Sequence, residues 1–289
     1  MTDIRHVPAT AAADWLLGGV RLLRRSPTGL GGLGAILGAL GLVAAVAAQR
    51  GGDATLALAA QLAFLLIGPL LLAGMIHAAR EVDEGRGATP AHLLAGLREG
   101  KALRLIGTLL PQVAAFALCA FALIALLGPE GTQQVIDASR KLQAQAAPNP
   151  ADFRDLPVLR LALWFLLLGG AMFAVWLLTF LAIPDMILGD RGLVAGLRNS
   201  ARAALRNPMA LLLFTVLMLI VLFALVIAVN LVGLLLQTLL GDLIALAAVQ
   251  IAMNAVLMPI VTGAMYLAWK QILGGDAAGA PPAVRHIEV

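Results

Sequence analysis

The stretch MALLLFTVLMLIVLFALVIAVNLV, residues 209–232, holds no charged residue. As a helix rising 1.5 Å per residue it would span about 36 Å, more than the roughly 30 Å hydrocarbon core of a bilayer. Its only strongly polar member is Asn230. Such a segment is read as a membrane crossing.

Working outward, five more apolar runs of this kind appear, and the reading places spans at 28–49, 56–79, 105–127, 159–183, 209–232 and 243–269. The apolar run of the fifth span continues to Leu240, and Gly233 is read as a break with 234–240 lying along the far surface. The whole composition agrees. Of 289 residues, 61% are hydrophobic and 12% charged, and mean hydropathy is +0.94. Soluble domains carry about 25% charged residues. The fold class expected is therefore all-α: a polytopic membrane helical bundle of about six transmembrane helices. One domain is expected over 1–274, with an outer loop at 128–158 and a disordered, Gly/Ala/Pro-rich tail at 275–289. Within the loop, Glu130–Ala146 reads as a short helix that Pro148-Asn149-Pro150 ends.

Charge gives the spans a direction. Of the 20 Lys and Arg, 15 fall on the side that would hold both termini. By the positive-inside rule that side is the cytoplasm, so the expectation is a multi-pass cell inner-membrane protein, N-in and C-in. The pI near 10 reflects these flanking charges and does not point to nucleic acid. Arg24-Arg25 followed by an apolar run mimics a signal peptide, but the run 28–48 is too long for a typical signal core and is read as the first span.

Directly before the fifth span lies Arg191-Gly-Leu-Val-Ala-Gly-Leu-Arg198-Asn-Ser-Ala-Arg202-Ala-Ala-Leu-Arg206-Asn-Pro. At 100° per residue its four arginines fall within about an 80° arc. Leu193, Val194, Leu197, Ala201, Ala204 and Leu205 are read as the other side. This pattern predicts an amphipathic helix on the inner interface, its apolar face in the acyl boundary and its arginines on anionic head groups. Segment 13–25 repeats the pattern, with Trp15, Leu16, Val20, Leu22 and Leu23 against Asp14, Arg21, Arg24 and Arg25. Segment 91–104 is a weaker copy. The candidate head-group contacts are thus Arg21, Arg24, Arg25, Arg198, Arg202 and Arg206.

A threefold internal repeat follows: surface helix, span, return span, giving three hairpins with cytoplasmic-side amphipathic helices. Ser26-Pro27 and Asn207-Pro208 both read as an N-cap before a first-turn proline. Pro69-x-x-x-Ala73-Gly74-Met75-x-x-Ala78 parallels Pro259-x-x-x-Gly263-Ala264-Met265-x-x-Ala268. The middle unit lacks the junction.

Val7-Pro8-Ala9 with Trp15-x-x-x-Gly19-x-Arg21-Leu22-x-Arg24-Arg25-x-Pro27 resembles the start of an uncharacterised family of proteobacterial multi-pass inner-membrane proteins. More distantly, Pro184, Asp190, Gly192, Ala195, Ser200, Arg206, Asn207 and Pro208 are similar to the membrane domain attached to some glycerophosphoryl diester phosphodiesterases. The resemblance implies an inner-membrane helical bundle. It implies no activity, since this chain has no phosphodiesterase domain.

Polar groups within hydrocarbon are functional candidates by default. Asp185, Asn230, Gln250 and Asn254 are the intramembrane polar candidates, with Gln61 and Gln112 near span ends. Gln250 and Asn254 share one helix face. Interhelical hydrogen bonding is the favoured reading of the amides, and a substrate path the alternative. For Asp185 an interfacial salt bridge with Arg191 or Arg198 is favoured over proton or cation binding. Asp242 is read as a cap of the last helix. His77, Glu81 and His92 do not complete a three-ligand zinc site, so neither metal nor cofactor is expected. Cys119 reads as a buried hydrophobe. No nucleophile motif is present, and the chain is read as non-enzymatic. Gly34-x-x-x-Gly38 makes one face of the first span bare, for internal packing or, alternatively, a homo-oligomer; Gly169-Gly170 is read the same way. Pro69, Pro111 and Pro259 are read as kinks.

Two functional readings result. One is a scaffold or envelope-maintenance factor contacting membrane lipids. The other is a transporter or channel for a small or lipidic solute.

Overall fold

The computed structural model describes residues 4–50, 54–144 and 156–274. The tail at 275–289 and Pro148-Asn149-Pro150 lie outside them. The described residues form eleven α-helices, with short 3-10 turns and no strand. Six stretches are long and apolar enough to cross a membrane: 27–47, 58–83, 102–140, 158–187, 208–240 and 242–272. The chain is an all-α, multi-pass membrane protein.

In order, the helices are α1 (Ala11–Arg25), α2 (Pro27–Arg50), α3 (Ala54–Asp83), α4 (Ala95–Arg98), α5 (Ala102–Ile106), α6 (Leu110–Ala144), α7 (Val158–Phe180), α8 (Ala182–Ile187), α9 (Leu193–Arg206), α10 (Pro208–Leu240) and α11 (Asp242–Ile272). They pack as two compact units, Met1–Thr108 with Leu177–Val289, and Leu109–Trp176.

In the first unit, α11 packs against α1, α2, α3 and α10. Glycines permit the closest approaches. A side chain at Gly34 would strike the Asn254 carbonyl of α11, and one at Gly38 would come within 2.9 Å of the Gln250 carbonyl. The bare face of the first span is thus spent inside the chain, on α11. In lipid, where apolar burial against a neighbour gains little over contact with acyl chains, such close backbone contact is what holds helices together.

Similar contacts link two return helices, α3 and α11, to surface elements, and a looser one joins α8 to α9. A Cβ at Gly74 of α3 would stand 2.6 Å from the carbonyl of His92, which precedes α4. On α9, a Cβ at Gly196 would stand 3.4 Å from the Ala182 carbonyl of α8. At Gly263 of α11, it would stand 3.0 Å from the Cα of Gly19 on α1. The third contact returns to the first surface helix.

Several expectations are corrected. Gly233 does not break α10, which runs unbroken to Leu240; the glycine is buried, and a Cβ there would meet Val249 of α11 at 2.6 Å. The helix stops instead at Gly241, whose φ of 84° lies in the positive region that glycine adopts readily. Within the apolar stretch 102–140, residues 102–109 form α5 and a 3-10 turn, and α6 itself begins at Leu110. Pro111 therefore sits in a first turn, where its missing N–H costs nothing. Within the stretch 158–187, α7 ends at Phe180, and Pro184 belongs to the separate short helix α8. Side chains added at Gly169 or Gly170 would meet nothing within 4 Å, so these glycines serve no close packing.

In the second unit, Gly128 (φ 66°, ψ −177°) breaks α6, and residues 130–144 continue as a further helix, matching the loop helix expected from the sequence up to Ala144. Arg160 Nη1 donates to the Leu127 carbonyl at 3.1 Å, covering the end before the break. Trp164 Nε1 donates to the Cys119 carbonyl at 2.8 Å, and Cys119 is buried.

Candidate functional site

The six candidate arginines, Arg21, Arg24, Arg25, Arg198, Arg202 and Arg206, are all exposed. Their helices carry them for different reasons. In α1 the apolar face does not enter an acyl boundary. Trp15, Leu16 and Leu22 are buried in protein. Trp15 meets Phe214 edge-on at 6.0 Å and donates its indole N–H to Gln271 at 2.5 Å. Periodicity shows that a face is apolar; it cannot show whether protein or lipid covers it. Of the large apolar residues on α1, Leu17 is left outside, 59% exposed.

In α9 the buried stripe is Gly196, Asn199, Ser200 and Ala203, at helical spacing. Val194 and Leu205 lie outside, 77% and 83% exposed, beside Arg198, Arg202 and Arg206. The face expected against lipid is therefore not one stripe: Ala204 packs inward, Leu193 lies against Gly107, and Val194 and Leu205 flank the arginines. That outer face combines aliphatic side chains with cations, the composition that suits an interface between acyl chains and phosphates.

Asp185 is buried, 2% exposed. Its expected salt bridge to Arg191 or Arg198 is absent among the described residues. Asn199 Nδ2 donates to one carboxylate oxygen at 2.9 Å and Trp269 Nε1 to the other at 3.1 Å. The reason is helical phase: Arg198 is on the outer face of α9, while Asn199, about 100° further round, faces inward. Asp185 thus ties α8 to α9 and α11.

Asn207 does not cap α10 with its side chain. Its Oδ1 accepts the Val7 N–H at 2.8 Å, and its Nδ2 donates to the Arg5 carbonyl at 3.1 Å. His6 adds a bond from Nδ1 to the Arg206 carbonyl at 3.1 Å. The N-terminal segment is thereby laced across the α9–α10 junction. Asp242 accepts from Gln237 at 2.8 Å in the first turn of α11, whose N-cap is Gly241.

The amides are not brought together into a stripe. Exposed Asn230 donates to the Val226 carbonyl at 2.8 Å, and Asn254 to the Gln250 carbonyl at 2.9 Å, each on its own helix. Gln250 Nε2 lies beside Gly41, 3.6 Å from where a Cβ would stand. Neither amide bond reaches a second helix.

Two ion networks escaped sequence reading. Asp83, at the end of α3, accepts from Lys270 Nζ at 2.7 Å and Tyr266 Oη at 2.9 Å, with Arg25 Nη1 at 3.9 Å. Buried Lys101 contacts Glu99 at 2.6 Å and Asp190 at 3.5 Å, and donates to the Ile187 carbonyl at 2.8 Å. Arg104 joins Asp190 at 2.5 Å and the Arg191 carbonyl at 3.0 Å. The bond from Arg104, with the charges of Lys101 and Arg104, holds the Asp190 carboxyl below its ordinary value. These partners lie up to 187 residues apart, and no local pattern links them. Only the charged ends of the spans were visible.

No group of three or more His, Cys, Asp or Glu among the described residues could hold a metal ion. The rings of His77 and His92 lie 5.4 Å apart at a tilt of 40°, and His77 Nε2 lies 3.8 Å from Glu99. No family model, curated protein or solved structure matches the chain.

Proposed function

We propose that this chain is a non-enzymatic inner-membrane protein, a scaffold or envelope-maintenance factor that works by contacting anionic lipid, with both termini in the cytoplasm. One observation carries the reading: Arg198, Arg202 and Arg206 are exposed in a row on α9, with Leu205 and Val194 exposed beside them. Basic residues near an anionic leaflet contribute about 1 kcal/mol each. The positive-inside bias supports the orientation, and the resemblance of the N-terminal motif supports the inner membrane. The close approaches of Gly74 to His92 and of Gly263 to Gly19 support the likeness of the first and third repeats.

The test is lipid copurification. Replacing Arg198, Arg202 and Arg206 together by Gln should lower the anionic lipid retained with the purified protein. Unchanged retention would overturn the reading. The transport alternative draws on Gln250 and Asn254, but Asn254 spends its amide on its own helix, which favours lipid contact.

A further inference from the structure

We propose that the pocket between the end of α1 and the end of α3 binds the headgroup phosphate of one anionic phospholipid, with Arg25 as its main cation. The proposal rests on the lipid-contact reading and adds to it a single, saturable site.

The pocket is open, about 420 Å³, and lined by Arg25, Ser26, Val82, Gly85, Arg86 and Gly87. That volume lies in the usual range for small-ligand sites, roughly 300–1,000 Å³. Its depth is right for a headgroup: the first span starts at Pro27 and the second ends at Asp83, so the pocket stands at one membrane boundary.

The electrostatics single out Arg25. Asp83, its nearest carboxylate, is already satisfied by Lys270 and Tyr266 at 2.7 and 2.9 Å, while Arg25 stands back at 3.9 Å with its side chain 54% exposed. A guanidinium presents five donors in a fork that matches phosphate oxygens. Arg86 plays another part. Its Nε and Nη2 bond Glu81 and Glu84, which fixes the guanidinium as a wall; Arg80 also bonds Glu84 at 2.7 Å, so two guanidiniums balance the two carboxylates. Gly85, at φ 81°, and Gly87 bring bare backbone to the rim, and a Cβ at either would meet nothing within 4 Å. The first turn of α2 starts beside Ser26 and adds its positive dipole end.

The related junction shows what occupies such a place. At Arg206-Asn207-Pro208 the chain's own residues 5–7 lie across the turn and use the Asn207 amide. At Arg25-Ser26-Pro27 the space is an open pocket.

The full chain in detergent is titrated with dihexanoyl phosphatidylglycerol and read by native mass spectrometry. Dihexanoyl phosphatidylcholine and inorganic phosphate are the comparison arms. One phosphatidylglycerol should bind saturably, and more tightly than either. Arg25→Gln should weaken it by about tenfold or more, as expected for loss of a charged hydrogen bond. Gly87→Asp should do likewise, since it fits sterically and places a carboxylate in the pocket. Arg198→Gln with Arg202→Gln and Arg206→Gln should lower association with phosphatidylglycerol vesicles but leave the single site within about twofold, as for distant positions. Binding unchanged in both Arg25→Gln and Gly87→Asp overturns the pocket, and does so with the lipid-contact reading intact if the triple variant still loses vesicle association. Equal binding of phosphatidylcholine, or of inorganic phosphate, overturns the assignment to an anionic lipid. A triple variant that keeps its vesicle association while the Arg25 site responds refutes the α9 surface and leaves the pocket standing.

Discussion

Asn199 donates its side-chain amide to the buried carboxylate of Asp185 at 2.9 Å, and Trp269 supplies the second donor from α11 at 3.1 Å. A carboxylate out of water needs such partners, and removing one leaves it partly unsatisfied at a cost of about 1–3 kcal/mol. Asn199→Ala should therefore lower the thermal midpoint of the detergent-purified protein clearly. Asp185→Asn should lower it too, because the amide offers one acceptor oxygen where Asn199 and Trp269 use two, and its NH2 then faces a donor. A midpoint for Asn199→Ala equal to the parent would contradict the bond's role.

Gly34 and Gly170 make a controlled pair. Gly34 abuts the α11 backbone, whereas Gly170 faces open space. Gly34→Leu should destabilise by at least about 1–3 kcal/mol, the range for overpacking, and more where rigid backbone is struck. Gly170→Leu should be close to neutral. The yield of monodisperse protein by size-exclusion chromatography, with thermal midpoints, tests the contrast.

The Asn207 side chain bonds residues 5 and 7 and is 1% exposed. Asn207→Ala should loosen the segment 4–8 and cost about 1–2 kcal/mol, since a partner group is left unpaired. Hydrogen exchange at the Val7 amide should rise sharply while exchange in mid-α11 stays slow. Unchanged protection at Val7 would contradict the contact.

Asp190 gives a pH dependence with a definite sign. Its carboxyl is held below its ordinary value by Arg104, with Lys101 adding to the effect. A depressed carboxyl contributes stability above its unfolded value, and that contribution is lost as pH falls through the folded value. Stability should thus decline below the ordinary carboxylate range, and Asp190→Asn should flatten that part of the profile. The group is exposed, so the effect is small and should shrink in high salt. Thermal midpoints between pH 3 and 7, at low and high salt, provide the measurement.

Much of this fold was legible because lipid imposes a simple condition. Every backbone polar group must be satisfied within a spanning helix, so length and apolarity reveal the crossings. The site was only half legible. Arg198, Arg202 and Arg206 were found because helical spacing puts them in a row. Asp83 with Lys270, and Lys101 with Asp190, were missed because each pair is distant in sequence and its members look like ordinary charged ends of spans.

The sequence alone determined that six apolar segments cross a membrane and that amphipathic helices precede the first and fifth. Both follow from local composition and period. Tertiary structure alone decided what covers each face. Trp15 and Leu22 went to α11 and α10 instead of lipid, Asn207 went to the N-terminal segment instead of a helix cap, and Asp185 went to Asn199 and Trp269 instead of an arginine. An apolar side chain is served by protein or acyl chain alike, and a carboxylate by any donor in reach. Which neighbour arrives depends on the helix-to-helix approaches that glycines such as Gly19, Gly34 and Gly196 permit.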